Sequence, residues 1–198
     1  MLKIYYGNIR LLKDPLVFEE WFLKMSKERK EKIRKCQNLE DKKRSLLAGI
    51  LLFYGLNETD ETENVFSSIT HSGDYAMCVI SDRRVGVDLE NRYRKIFSQQ
   101  NDGQLDAIAR KCLTSKELED FLSLKKEEKT DAMLSYWTRK ESYSKAMGKG
   151  LSMDFATIDT KALDAFFWSN WIKEGYFCSL YVEDAKFEDK QLQELLVL

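Results

Sequence analysis

The sequence predicts an α+β protein made of two similar halves. Strand-like runs recur at Leu2–Tyr6, Val65–Glu90 and Phe166–Val182, with long helical patterns between them. Each half also closes in a β section, Tyr75–Ile80 (YAMCVI) in the first and Tyr176–Val182 (YFCSLYV) in the second. The 198 residues leave room for two small units, which we place at 1–85 and 86–198. A cleft between two such halves is a common place for a ligand.

The elements follow in order. Residues Leu2–Tyr6 read as a short strand, and Leu16 to Lys35 as one helix with Val17, Trp21 and Met25 near helical spacing. A second helix is expected from Leu39 to Leu56, its apolar side made by Leu46, Leu47, Ile50, Leu51 and Tyr54, with Gly55 and Asn57 as stops. Asn57–Asn64 (NETDETEN) carries no apolar residue and reads as a solvated loop. Strands follow at Val65–Thr70, Tyr75–Ile80 and Val85–Glu90, joined by turns at Ser72-Gly73 and Ser81–Arg84. Helices are expected at Gly103–Leu113, Lys116–Leu124 and Lys129–Met147. A hairpin of Phe166–Ile172 and Tyr176–Val182 turns at Glu174-Gly175, and the tail from Lys186 to Leu198 is helical or irregular.

Composition excludes several classes. Lys and Arg total 32 against 33 Asp and Glu, so the net charge of −1 favours neither nucleic acid nor a membrane surface. The longest apolar run, Leu46–Leu56, falls far short of the roughly 20 residues a membrane-spanning helix needs. The N-terminus MLKIYYGNIR has no signal-like apolar region. Cys36, Cys78, Cys112 and Cys178 are scattered without a C-x-x-C pair, which argues against zinc and against a disulfide framework. A reduced, cytoplasmic protein is the expectation.

Four constellations could carry chemistry. In Val85–Glu90 (VGVDLE), alternation puts Gly86, Asp88 and Glu90 on one strand face. Two neighbouring carboxylates suit one hard cation such as Mg²⁺; the alternative is an exposed face whose acids pair with Arg83, Arg84, Arg92 or Arg94. In Trp137–Gly150 (WTRKESYSKAMGKG), Glu141 and Lys145 are four apart and share a helix face, with Trp137 one turn earlier. An ordinary ion pair is the alternative there. The single histidine, His71, follows a strand and precedes a Ser-Gly turn whose backbone N–H groups could meet an anion. No G-x-S-x-G elbow accompanies it. Finally, Lys27, Arg29, Lys30, Lys32, Arg34, Lys35, Lys42, Lys43 and Arg44 form cationic runs, either a solvated helix face or a grip for phosphates.

The order of these pieces resembles the 4′-phosphopantetheinyl transferases, in the monomeric two-half type typified by the surfactin-synthetase activating enzyme. The motifs (V/I)G(V/I)D(I/L)E and W-x-x-K-E-(S/A)-x-x-K-x-x-G-x-G are both intact, and the resemblance covers most of the chain. It implies two α+β halves related by a pseudo-twofold axis, with the active site in the cleft between them. It implies transfer of the phosphopantetheine arm of coenzyme A to a serine of an apo acyl or peptidyl carrier protein, releasing adenosine 3′,5′-bisphosphate.

By the same resemblance, Asp88, Glu90 and Glu141 hold Mg²⁺ (Mn²⁺ also suits their oxygens), with Asp88 close to the coenzyme. Lys145 stabilises the leaving group, and Glu141, or a metal-bound water it orients, takes the serine proton. His71, flanked by Thr70 and Ser72, together with Arg29, Lys32 and Arg44, matches positions around the coenzyme A 3′-phosphate. Arg44 is the firmest of these, because Glu40–Leu47 follows the family pattern E-D-x-x-R-S-L-L. Lys140 stands at a family position beside the glutamate. The implied partners are coenzyme A and a carrier protein, with no nucleic acid or membrane, and the implied state is a monomer. One departure is plain: the Gly-Lys-Pro loop usual before the histidine is replaced by NETDETEN, so the adenine side of the pocket is expected to differ. Two other readings share these residues, a coenzyme A-binding protein that has lost transfer and a Mg²⁺-dependent pyrophosphate hydrolase.

Overall fold

The computed structural model describes residues 1–59, 64–94, 97, 102–173, 175–184 and 196–197. Part of the NETDETEN loop, Glu174 of the hairpin turn and most of the tail lie outside them. The architecture is α+β, and the chain divides into two compact units. The first is 1–83 with 191–198 and the second is 84–190. The division thus falls two residues before the 85/86 boundary read from the sequence.

The first unit is a sheet in the order β2-β3-β1-β7, with β1 Leu2–Asn8, β2 Phe66–Ser72, β3 Tyr75–Ser81 and β7 Leu196–Val197. β1 and β2 both pair antiparallel with β3. Helix α3, Leu39–Asn57, buries Leu46, Leu47, Ile50 and Leu51 against Tyr5, Ala76, Cys78 and Ile80 of this sheet. Gly55 is not the stop that sequence suggested. A Cβ there would lie 2.9 Å from Ile80 Cγ1 and 3.0 Å from the Tyr5 ring, so glycine serves close packing and the helix runs on to Asn57. Glu58 caps it from β1: the Tyr5 hydroxyl donates to Glu58 Oε2 at 2.7 Å and Lys3 Nζ to its carbonyl at 2.6 Å.

The single helix expected from Leu16 to Lys35 is two, α1 Pro15–Lys24 and α2 Lys27–Lys35. Ser26 separates them, its Oγ accepting from Arg29 N at 3.2 Å as the N-cap of α2. No glycine or proline marks this break, which is why helical spacing read straight through it.

The second unit is an antiparallel sheet in the order β4-β6-β5, from Val85–Asn91, Tyr176–Val182 and Phe167–Lys173. Helix α6, Lys126–Ala146, packs on β4 and β6. Helices α4, Asp102–Cys112, and α5, Ser115–Ser123, join α6 around a core of Phe97, Leu105, Ala109, Leu113, Phe121, Met133 and Leu134. Trp137 belongs to this packing, edge-on to Phe97 and Phe155, so it supports the helix rather than the charged face of Glu141. Among the described residues no helix is long and apolar enough to cross a membrane.

Candidate functional site

β4 is buried from Val85 to Glu90, its acidic face included. Gly86 explains how. A Cβ at this position would lie 1.8 Å from the Ser142 carbonyl oxygen and 2.8 Å from the Ala146 nitrogen, so strand and helix backbones touch. Any other residue would force them apart. Strand alternation puts Asp88 and Glu90 on the face of Gly86, and the turn of α6 above it carries Glu141 and Lys145. The exposed acidic face weighed from sequence is therefore a strand–helix seam.

Within the seam, Lys145 Nζ donates to Asp88 Oδ1 at 2.7 Å and to the Val87 carbonyl at 3.0 Å. Glu90 accepts from Arg94 Nη1 through both carboxylate oxygens, each at 2.5 Å. Glu141 is only 8% exposed. Burial, and then the neighbouring Asp88, push its carboxyl up to about 7; Lys145 opposes the shift and Glu90 adds to it. A carboxyl poised there exchanges a proton readily at neutral pH.

Three acids on one seam, near enough for Asp88 and Glu90 to act on Glu141, match a hard divalent cation in donor type and charge. The proton affinity of Glu141 is raised first by burial, and the added push from Asp88 and Glu90 is the part that positive charge among the acids would relieve. As the side chains stand, Lys145 and Arg94 supply positive charge to Asp88 and Glu90, and among the described residues no three His, Cys, Asp or Glu side chains are grouped closely enough to hold a metal ion.

Lys140 goes elsewhere. It is fully buried, and its three ammonium donors are spent on Glu117 Oε2 at 2.6 Å, the Phe155 carbonyl at 2.9 Å and the Ile158 carbonyl at 2.6 Å. This corrects the expectation that Lys140 contacts a cofactor. One residue along a helix is about 100° around it, so Lys140 points into the α5 side while Glu141 faces β4. Burial lowers the proton affinity of Lys140, against the pull of Glu117. Burial alone would raise Glu117, yet hydrogen bonds from Lys140, Thr160 and Thr114 outweigh it and hold its carboxyl below the ordinary value. Sequence reading passed over Glu117; its signal was the Thr114-x-x-Glu117 capping box that opens α5.

The six basic, hydroxyl and imidazole candidates lie in the first unit, in two places. Asn38 caps α3 by accepting from Asp41 N, and Asp41 Oδ1 accepts from Arg44 Nη2 at 2.5 Å and Nε at 3.2 Å. Arg44 Nη1 then reaches the Gly73 carbonyl at 2.7 Å, tying the start of α3 to the β2–β3 turn beside His71. Arg44 holds the Asp41 carboxyl below its usual range, and His71 acts in the same sense. His71 pairs with Ala76, whose side chain faces α3, so the imidazole takes that face and is exposed. Thr70 and Ser72 take the other face and are buried. The three consecutive residues therefore do not share one surface.

Arg29 and Lys32 line a cavity of about 400 Å³ with Met25, Gly49, Leu52 and Phe53. Arg29 is half-buried, and burial lowers its proton affinity. Its stem lies over Gly49, where a Cβ would come within 3.3 Å of Arg29 Cγ and Cδ. Lys32 is exposed and pairs with Glu28 at 3.0 Å.

Comparison with known proteins adds the following. The family model described as 4′-phosphopantetheinyl transferase superfamily matches residues 84–194. The 4′-phosphopantetheinyl transferase Sfp of Bacillus subtilis (strain 168) is 28% identical over 157 residues, 69% of this chain and 66% of that protein. A second 4′-phosphopantetheinyl transferase of Bacillus subtilis is 26% identical over 187 residues, 84% of this chain and 80% of that protein. A third, ffp, is 30% identical over 157 residues, 69% of this chain and 66% of that protein. The match thus spans just under two thirds of the first and third relatives.

Proposed function

Because this chain belongs to the 4′-phosphopantetheinyl transferase superfamily, we propose that it moves the phosphopantetheine arm of coenzyme A to a serine of an apo acyl or peptidyl carrier protein. The observation that carries this reading is the seam of β4 and α6, where Asp88, Glu90, Glu141 and Lys145 converge and the Glu141 carboxyl is pushed up to about 7.

In the proposed reaction the carrier serine oxygen attacks the phosphorus next to the pantetheine. One P–O bond forms, the pyrophosphate bridge breaks, and adenosine 3′,5′-bisphosphate leaves. Glu141 accepts the serine proton. Its carboxyl suits that task because its proton affinity lies near neutrality, where a base is charged often enough to act and still binds the proton well. Lys145, seated on β4 by Asp88 and the Val87 carbonyl, supplies positive charge beside the phosphates and offsets the charge growing on the leaving group. Asp88, Glu90 and Glu141 would hold Mg²⁺ or Mn²⁺; bound there, the ion supplies Lewis-acid polarisation and neutralises pyrophosphate charge. In the first unit, Arg44 and His71 at the β2–β3 turn are the proposed partners of the coenzyme A 3′-phosphate, with Arg29 and Lys32 as further basic contacts.

The test is intact-mass spectrometry of a panel of apo carrier proteins incubated with the protein, coenzyme A and Mg²⁺. A gain of one phosphopantetheine is expected, abolished by EDTA and reduced at least about a hundredfold by Glu141→Gln, the scale of a lost general base. A panel left unmodified throughout would remove the transferase reading. Release of adenosine bisphosphate without any carrier present would favour the hydrolase instead.

A further inference from the structure

We infer that Arg94 is a resident counter-cation of the carboxylate seam, competing with a divalent cation for Glu90 and so setting how tightly that cation binds before substrate arrives. The inference rests on the reading of Asp88, Glu90 and Glu141 as a cation site, and goes beyond it in assigning a role to a residue outside both motifs.

The local chain places Arg94 for this contact. β4 ends at Asn91, whose Oδ1 accepts from Tyr93 N at 2.8 Å and whose carbonyl accepts from Arg94 N at 3.1 Å. That Asx turn reverses the backbone directly after the strand. Phe97 N then donates to the Arg94 carbonyl at 2.9 Å, and the Phe97 ring is fully buried edge-on to Trp137. Arg94 is thus anchored on both sides of its own residue, and its guanidinium returns to Glu90 at 2.5 Å from each oxygen.

The two partners differ in what surrounds them. The Glu90 side chain is 9% exposed and the Arg94 side chain 52%. A carboxylate so buried, facing Asp88 and Glu141, needs positive charge. An arginine half in water regains hydration when it leaves, so the cost of parting falls on the buried Glu90 and is met when a cation takes the place of the guanidinium. Occupation of both Glu90 oxygens by one nitrogen excludes a cation from the same lone pairs. Lys145 fills a corresponding place at Asp88, but it is bound to the strand carbonyl as well and is less exposed. Arg94 is therefore the side chain that gives way. Released, it remains a guanidinium at the mouth of the seam, suited to an incoming pyrophosphate.

Mn²⁺ binding to the substrate-free protein, followed by electron paramagnetic resonance of the free ion, tests this without reference to turnover. Arg94→Ala is expected to tighten Mn²⁺ binding about two- to fivefold at low salt, the scale of losing one competing cation that is half in water. Arg94→Lys, which keeps the charge but loses the planar fork, is expected to stay between Arg94→Ala and the parent protein. Unchanged or weaker binding in Arg94→Ala overturns the inference while leaving the cation site standing, provided the parent binds and Glu90→Gln does not. Absence of Mn²⁺ binding in the parent and in Arg94→Ala alike overturns both. Binding gained only in Arg94→Ala supports the inference in its strongest form.

Discussion

Glu141 and Lys140 are consecutive in the chain and opposite in environment. Glu141 faces two other acids across a seam, whereas Lys140 is sealed under the helix by Glu117 and two backbone carbonyls. Both are charged side chains out of water, which is tolerated only where partners compensate. Removing the ammonium leaves the Glu117 carboxylate buried without a counter-charge, held only by hydrogen bonds from Thr160 and Thr114. Lys140→Met is therefore expected to lower unfolding stability by about 3–5 kcal/mol, the penalty for breaking a buried pair, read by denaturant melts. A loss below about 1 kcal/mol would mean the pair is far more hydrated than its burial indicates. The motif W-x-x-K-E could not distinguish these neighbours, because a motif records spacing and not the face a residue takes. Asp88 with Glu90, and Glu141 with Lys145, were legible as two same-face pairs because a period of two on a strand and of four on a helix are local rules, and it was the order of the motifs that joined the pairs. His71, Thr70 and Ser72 were read as a cluster, though the same period of two divides them between faces.

At the scale of elements, the β4–α6 contact fixes the geometry on which the site depends. Gly86→Ala places a methyl group against the Ser142 carbonyl, and neither backbone can turn aside as a side-chain tip would. The expected result is a loss of about 3 kcal/mol, at the upper end of overpacking, together with loss of the Lys145–Asp88 contact. Melting curves check the first, and a crystal structure of the variant checks the second. Near-parent stability would show that α6 slides more easily than the close contact suggests. The elements themselves were largely readable, since α3, β3, β4 and β6 each carry enough apolar periodicity to declare their type. The break between α1 and α2 was not, because a serine cap competes weakly with helical spacing in a single sequence. Nor was the burial of β4 on its acidic side, because carboxylates at alternate positions look solvated until a helix is laid over them.

For the whole molecule, the raised affinity of Glu141 for a proton links stability to pH. The folded protein keeps this proton up to about 7, while an unfolded glutamate releases it near 4.5. The contribution is therefore fully present below about 4.5 and is lost as pH rises through 7. In metal-free protein the melting temperature is expected to fall across that window relative to Glu141→Gln, whose amide has no proton to lose. Above pH 7, Mg²⁺ or Mn²⁺ should recover the loss, by about 2.7 kcal/mol at a hundredfold excess over the dissociation constant, and EDTA should undo it. Parallel pH curves for the two proteins would contradict the placement of Glu141 among the acids. The touching backbones of Gly86 and Ser142 carry a different consequence, for descent rather than for energy. A side chain at position 86 would press α6 away from β4, and a shift of α6 would draw Lys145 away from Asp88. A change at either place is felt at the other, so the glycine and the charged residues opposite it are expected to vary together in descent.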